Sequence, residues 1–250
     1  MITARRSVSR IVVALAVLAM ARSALLAGPP LVCWKVATGG ASSLPWTDNP
    51  RSYDGTSGEY DTKRLAEDTL AFLSPDTSVL ARMETLRRAS LYATRDGEEG
   101  EDLLAKLIAR VRESEAAGKA DALAMFDAGY FVETARQADG RNQPHFWSRT
   151  MEALGARPDR ERELGGSTGY DWVRRAISLS GGNPEMEYAA ALITLHPRRP
   201  EHEGHLSRAA AGAPEGSLLA QNLLEQFQDR GRTVAELRAL GAGESGSGKR

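Results

Sequence analysis

The chain has a single cysteine, Cys33, in 250 residues. No disulfide can form within it, so a fold in an oxidising compartment must rest on its core alone. An excess of charge is missing too: 32 basic against 33 acidic side chains leave a net charge of −1. That balance argues against nucleic acid as a partner and against an acidic solvating tail. There is no Gly-x-Ser-x-Gly elbow, no phosphate loop, no dinucleotide fingerprint and no His-Glu-x-x-His. Those absences remove the best-marked hydrolases, nucleotide enzymes and zinc peptidases, and no cofactor is expected. No convincing alternating strand appears after the N-terminal region, so a sheet is not expected either.

What is present begins with Arg5, Arg6 and Arg10, followed by an unbroken apolar run from Ile11 to Ala21. Ala19-Met20-Ala21 has the A-x-A cleavage pattern, and Leu26-Ala27 before Gly28 offers a second one. Positive, apolar and small, in that order, is the order of a secretory signal peptide, here 1–27. The alternative is an uncleaved anchor in the inner membrane through residues 11–34, with Arg22 as its one charge. The expected location is therefore periplasmic or secreted. Val32 is too large for the position before a lipidated cysteine, which argues against lipid on Cys33.

Residues 36–61 are rich in Gly, Ser, Pro, Asn and Asp, with Trp46 and Tyr53 among them, and 28–61 reads as an irregular arm. Asp48, Asn49, Asp54, Glu59 and Asp61 lack the alternating ligands and the twelfth-position glutamate of a calcium loop, so they read as turn residues. Helical spacing then dominates 62–241. Ala66, Leu70 and Leu73 mark a first helix. Ser74-Pro75-Asp76 reads as the N-cap of a second, on which Arg82, Arg87 and Arg88 are expected to form a solvated face. Leu104, Leu107, Ile108 and Val111 sit at i, i+3, i+4, i+7, and Gly118 ends that helix. Gly129 interrupts an apolar stretch from Ala120 to Ala138 and predicts close approach of another backbone. A loop is expected at 140–143, a short helix around Trp147 to Leu154, and a charged, glycine-rich surface segment over 155–169. Thr233 and Glu236 form a capping box for the last helix, and the tail 242–250 reads as disordered.

Two stretches share one grammar. Arg175-Ala176-Ile177, a turn with Asn183-Pro184, then Glu185 is matched 33 residues later by Arg208-Ala209-Ala210, Pro214-Glu215-Gly216 and Ser217. Ala176 and Ala209 fall on the small position of a second helix, and Pro214 on the turn proline. Over 170–227 this resembles the tetratricopeptide repeats. It departs from them where Glu187 and Ala220 replace an early aromatic and Leu224 replaces a later small residue. The expected fold is all-α: antiparallel helical hairpins, tetratricopeptide-like or an irregular α-solenoid, with an N-terminal irregular arm.

The resemblance implies a concave face that holds a protein or peptide. Tyr130, Trp172 and Tyr188 are the candidate partner-binding aromatics, with core packing as the alternative for each. His196, His202 and His205, in HPRRPEHEGH, are candidate metal ligands, with loop histidines as the alternative. Three functions follow: a non-catalytic interaction protein of the cell envelope, an envelope glycan hydrolase or lyase using paired carboxylates, or a histidine-rich metal module.

Overall fold

Ten α-helices and no strand make up the described residues of the computed structural model, which are 30–47, 54–142, 169–195 and 201–240. In chain order they are α1 (Pro30–Cys33), α2 (Leu65–Phe72), α3 (Val79–Ala93), α4 (Gly97–Ala116) and α5 (Ala122–Asn142). Then come α6 (Gly169–Leu179), α7 (Pro184–Thr194), α8 (His202–Ala211), α9 (Leu218–Gln226) and α10 (Val234–Ala239). The expectation of an all-helical chain is met. The segments read as a signal peptide and as a terminal tail lie outside the described residues, as do His196, Tyr53 and Trp147 to Leu154.

Local chemistry sets most helix ends. Ser217 caps α9 by accepting from the Ala220 N–H, and Asn183 caps α7 by accepting from Glu185 and Met186. Gly118 follows α4 with φ +69°, a conformation in which glycine costs least. Thr233 accepts from Glu236 as the capping box requires, but the Glu236 carboxylate bonds the N–H of Arg232 rather than that of Thr233. One start differs from expectation: α3 is capped by Ser78, not Ser74. Ser74 instead closes a turn, its carbonyl accepting from Thr77 N–H and from the Arg82 guanidinium. The helix α5 also runs on through residues 140–142, where a loop was expected.

Helix α3 is the hub, with nearly every residue buried. It packs on α5, α2 and α4, and meets α7 and α1. Its first turn is held by Ser78 and, from α7, by Glu185, whose carboxylate accepts from Leu80 N–H at 3.2 Å. The arginines expected to form a solvated face are the clearest reversal. Arg82 and Arg87 are fully buried, because each finds a carboxylate and carbonyls inside the protein. Arg82 gives Nη1 to Asp127 of α5 at 2.6 Å and Nε to Thr77 O at 3.1 Å.

The tightest helix pair is α5 with α6. At its crossing the two glycines Gly129 and Gly169 face each other. A Cβ on either would lie 2.5 Å from the other's carbonyl oxygen. Close backbone approach is what the mid-helix glycine predicted. Glu133 of α5 completes the joint by accepting from Tyr170 N–H, at the start of α6. Later in the chain α8 packs on α7 and α10. The turn after α8 is pressed on the first residue of α7, since a Cβ at Gly212 would meet Pro184 at 2.5 Å.

Gly129→Ala is expected to destabilise the protein by about 1–3 kcal/mol or more, because backbone rather than a yielding side chain stands in the way. Gly118→Ala, at an open positive-φ site, should cost about 1 kcal/mol. Urea melts followed by circular dichroism rank the two, and an equal or reversed order contradicts the glycine-to-glycine contact.

Candidate functional site

The chain between Pro30 and Thr47 is helical only in the single turn α1, yet it is held along its length by the helices. Four aliphatic anchors, Leu31, Val32, Val36 and Leu44, are buried. Each such burial contributes about 1.5–3 kcal/mol relative to exposure. What sets the register of this strap is a series of side chains that bond its backbone. Gln137 of α5 accepts from Leu31 N–H at 2.8 Å. Arg87 donates to Val32 O at 3.0 Å, and Glu84 accepts from Val36 N–H at 3.0 Å. Asn222 of α9 takes both groups of Ala37: its Oδ1 accepts from N–H at 2.8 Å and its Nδ2 donates to the carbonyl at 3.0 Å. Arg88 donates to Leu44 O at 2.6 Å and Tyr92 to Pro45 O at 2.7 Å.

Glu84 is the pivot of this cradle. Its carboxylate is buried and accepts twice from Arg87 and once from Arg88, at 2.7–2.8 Å, besides the strap N–H. Burial pushes its pKa up, but the two guanidiniums and the Val36 N–H outweigh burial and hold it below the usual value. The same arginines cover Trp46 of the strap, with guanidinium carbons 4.6 and 5.4 Å from its ring centre. On the ring's other contacts, Gly55 leaves no room for a side chain: a Cβ there would lie 2.5 Å from the indole.

The sequence candidates fall elsewhere. Tyr130, Trp172 and Tyr188 are all core residues, 0%, 9% and 2% exposed, so none stands on the surface as an interface anchor. Tyr130 stacks on Phe126 and Tyr188 meets Phe227 edge-on. Core packing, the alternative for each, describes where they stand: an aromatic on an amphipathic helix reads alike whether it faces core or partner. His202 and His205 are not loop residues either. They lie buried on α8. The His202 ring donates from Nδ1 to Ala191 O at 2.9 Å, since a carbonyl can only accept.

His205 sits in a buried relay. Its Nδ1 meets Glu187 at 2.5 Å and its Nε2 meets the Tyr170 hydroxyl at 2.7 Å. Arg208 bonds the other Glu187 oxygen at 2.7 Å. Burial raises Glu187, but His205 and Arg208 prevail and lower it below the usual value. Glu187, which stands where a repeat would place an aromatic, is therefore a buried ion-pair residue. Among the described residues no group of three His, Cys, Asp or Glu is arranged to hold a metal ion.

Asp127 is the carboxylate that burial raises, to about 6, even with Arg82 beside it and Arg110 at 3.7 Å. Its Oδ1 has no hydrogen-bond partner among the described residues. A separate groove of about 390 Å³ lies between α9 and α10, lined by Ala220, Leu224 and Val234 with Arg232 and Arg238 at its edge. Asp127 does not line it.

Two further expectations concern the N-terminal stretch. Among the described residues no helix is long and apolar enough to cross a membrane. Leu31 and Val32, the far end of the stretch 11–34, are packed into the helical body. Comparison with known proteins gives no match: no family model, no curated protein and no solved structure is significantly similar to the chain.

Two results should follow. Glu84→Gln leaves Arg87 buried opposite a neutral group and should cost about 3–5 kcal/mol, whereas Asn222→Ala should cost about 1–3 kcal/mol. In Asn222→Ala, trypsin should cut at the exposed Lys35 faster than at Lys106 of α4, with helical circular dichroism unchanged; equal rates contradict the cradle. The pH dependence has two opposed parts. Glu84 and Glu187 are lowered in the fold, so their stabilisation is full above about 4.5 and is lost as pH falls through their folded values. Asp127 is raised, so its contribution is full below 3.8 and is lost as pH rises through about 6. The melting temperature should therefore rise from pH 7 to about 5 and fall below about 4.5. A steady fall from pH 7 downward contradicts the assignment to Asp127.

Proposed function

We propose that the chain is an exported helical protein that binds a protein or peptide segment in the cell envelope. The single observation that supports this reading is the cradle. Side chains from α3, α5 and α9 recognise the backbone of a non-helical segment, and buried pockets take its aliphatic side chains. Stacked helix pairs offer extended surfaces for binding, and here side chains on such helices bond the backbone of a non-helical segment. The export part of the reading rests on the order of features in 1–27. Among the described residues the buried carboxylates Asp127, Glu84 and Glu187 are each engaged by arginine, which favours a structural role for these three over glycan cleavage.

The strap carries an exposed amine, Lys35, two residues from Ala37, and an exposed indole, Trp34. A partner that displaces the strap lies beside it at the cradle, within reach of that amine. Affinity-tagged protein beginning at Gly28 is mixed with envelope extract and treated with a short amine cross-linker. The expected result is one stoichiometric partner cross-linked to Lys35. Cross-links confined to Lys106 on α4, or no stoichiometric partner at any salt concentration, contradict the proposal.

A further inference from the structure

We infer that the cradle is a peptide site occupied in cis: the strap 30–47 is a built-in competitor, and a partner enters by supplying a segment of the same type, aliphatic and small where it enters the cradle. This inference rests on the function proposed above and adds what the partner must look like and what regulates its entry.

The chemistry of the occupant is written in the contacts. Asn222 spends one amide on both backbone groups of Ala37, so the segment must present a free N–H and C=O at that point. A proline there cannot bind. Small residues are required next to it: Gly39 has φ +64° and a Cβ on it would lie 3.3 Å from Leu218 Cδ2. Aliphatic side chains must reach the sites that Val36 and Leu44 fill. Charge is excluded beside Glu84, because its carboxylate is already matched by Arg87 and Arg88 within a buried cluster. An added anion or cation there would stand desolvated and uncompensated. The partner is thus an aliphatic and small-residue segment with no charge on the side chains that enter the cradle; a charge is allowed only where it stays exposed, as Lys35 does beside Val36.

The strap's tether decides the affinity scale. A segment joined to its own site acts at an effective concentration on the order of millimolar. A free peptide must compete against that, so it occupies the intact chain more weakly than a chain whose strap is loosened. Ala37→Pro is the change that weakens the strap and leaves the cradle whole. It removes the N–H that Asn222 accepts, and it alters no residue of α3, α5 or α9.

The test uses the full chain and a fluorescent peptide of residues 30–47 with Cys33→Ser. Anisotropy titrations are made with the wild type, with Ala37→Pro, and with Ala37→Pro combined with Asn222→Ala. Circular dichroism and trypsin cleavage at Lys35 confirm that the helices persist and the strap is released. The expected result is binding to Ala37→Pro at least about tenfold tighter than to the wild type, and loss of most of that gain in the double variant. Equal binding to all three proteins overturns the inference, as does no binding to an Ala37→Pro chain whose strap is released. If Ala37→Pro fails to fold, Val36→Ala takes its place, since it removes an anchor and no hydrogen bond. A partner cross-linked to Lys35 in the absence of peptide binding leaves the proposed function standing and removes only this inference.

Discussion

A buried carboxylate with four hydrogen bonds is what joins the strap to the helices. Glu84 would be costly inside the protein if it stood alone. Arg87 and Arg88, three and four residues later on the same helix, neutralise it, and that same pair then reaches carbonyls of the strap. The cluster cannot be satisfied by α3 itself: without residues 32–45 the guanidiniums lose Val32 O and Leu44 O, and the carboxylate loses Val36 N–H. Ion-pair burial and strap docking are therefore one event. A buried ionic cluster is weak evidence for added stability. Here its geometric demands give the strap a register that four aliphatic anchors alone would leave open.

The rest of the molecule supplies a rigid frame for that cluster. Arg82 and Asp127 tie α3 to α5, and the glycine contact locks α5 to α6. Glu185 ties the start of α3 to α7. The cradle side chains thus project from elements whose mutual positions are fixed by short polar contacts and close backbone packing. Asn222 comes from α9, far along the chain, and closes the cradle on the side away from Gln137 of α5.

Much of the helical frame was legible in the sequence. The stripe of Leu104, Leu107, Ile108 and Val111, the turns at Asn183-Pro184 and Pro214-Glu215-Gly216, the cap at Thr233 and the end at Gly118 are local signals, and local signals survive folding. Gly129 was legible for a different reason: its cost in a helix demands a compensating contact. The arginines of α3 were not legible, because the partner that buries Arg82 is Asp127, 45 residues on. A nearer signal did exist, since Glu84 stands at the i,i+3 and i,i+4 spacing from Arg87 and Arg88. The strap was read as irregular from its Gly, Ser and Pro content. What orders it is supplied by Glu84 and Asn222, 48 and 185 residues away, and no composition can report that.

The placement of Tyr130 and Tyr188 in the core shifts the functional reading from side-chain anchors to backbone recognition. The cradle also includes a titratable contact, since the Glu84 carboxylate accepts from Val36 N–H. The most direct measurement is amide hydrogen exchange resolved at Val36 and Ala37 in the wild-type chain at neutral pH. Protection of both amides comparable to that of the α3 helix is the predicted result, because each is bonded to a buried side chain. Exchange of both at the rate of an unstructured peptide, with α3 protected, would contradict the account.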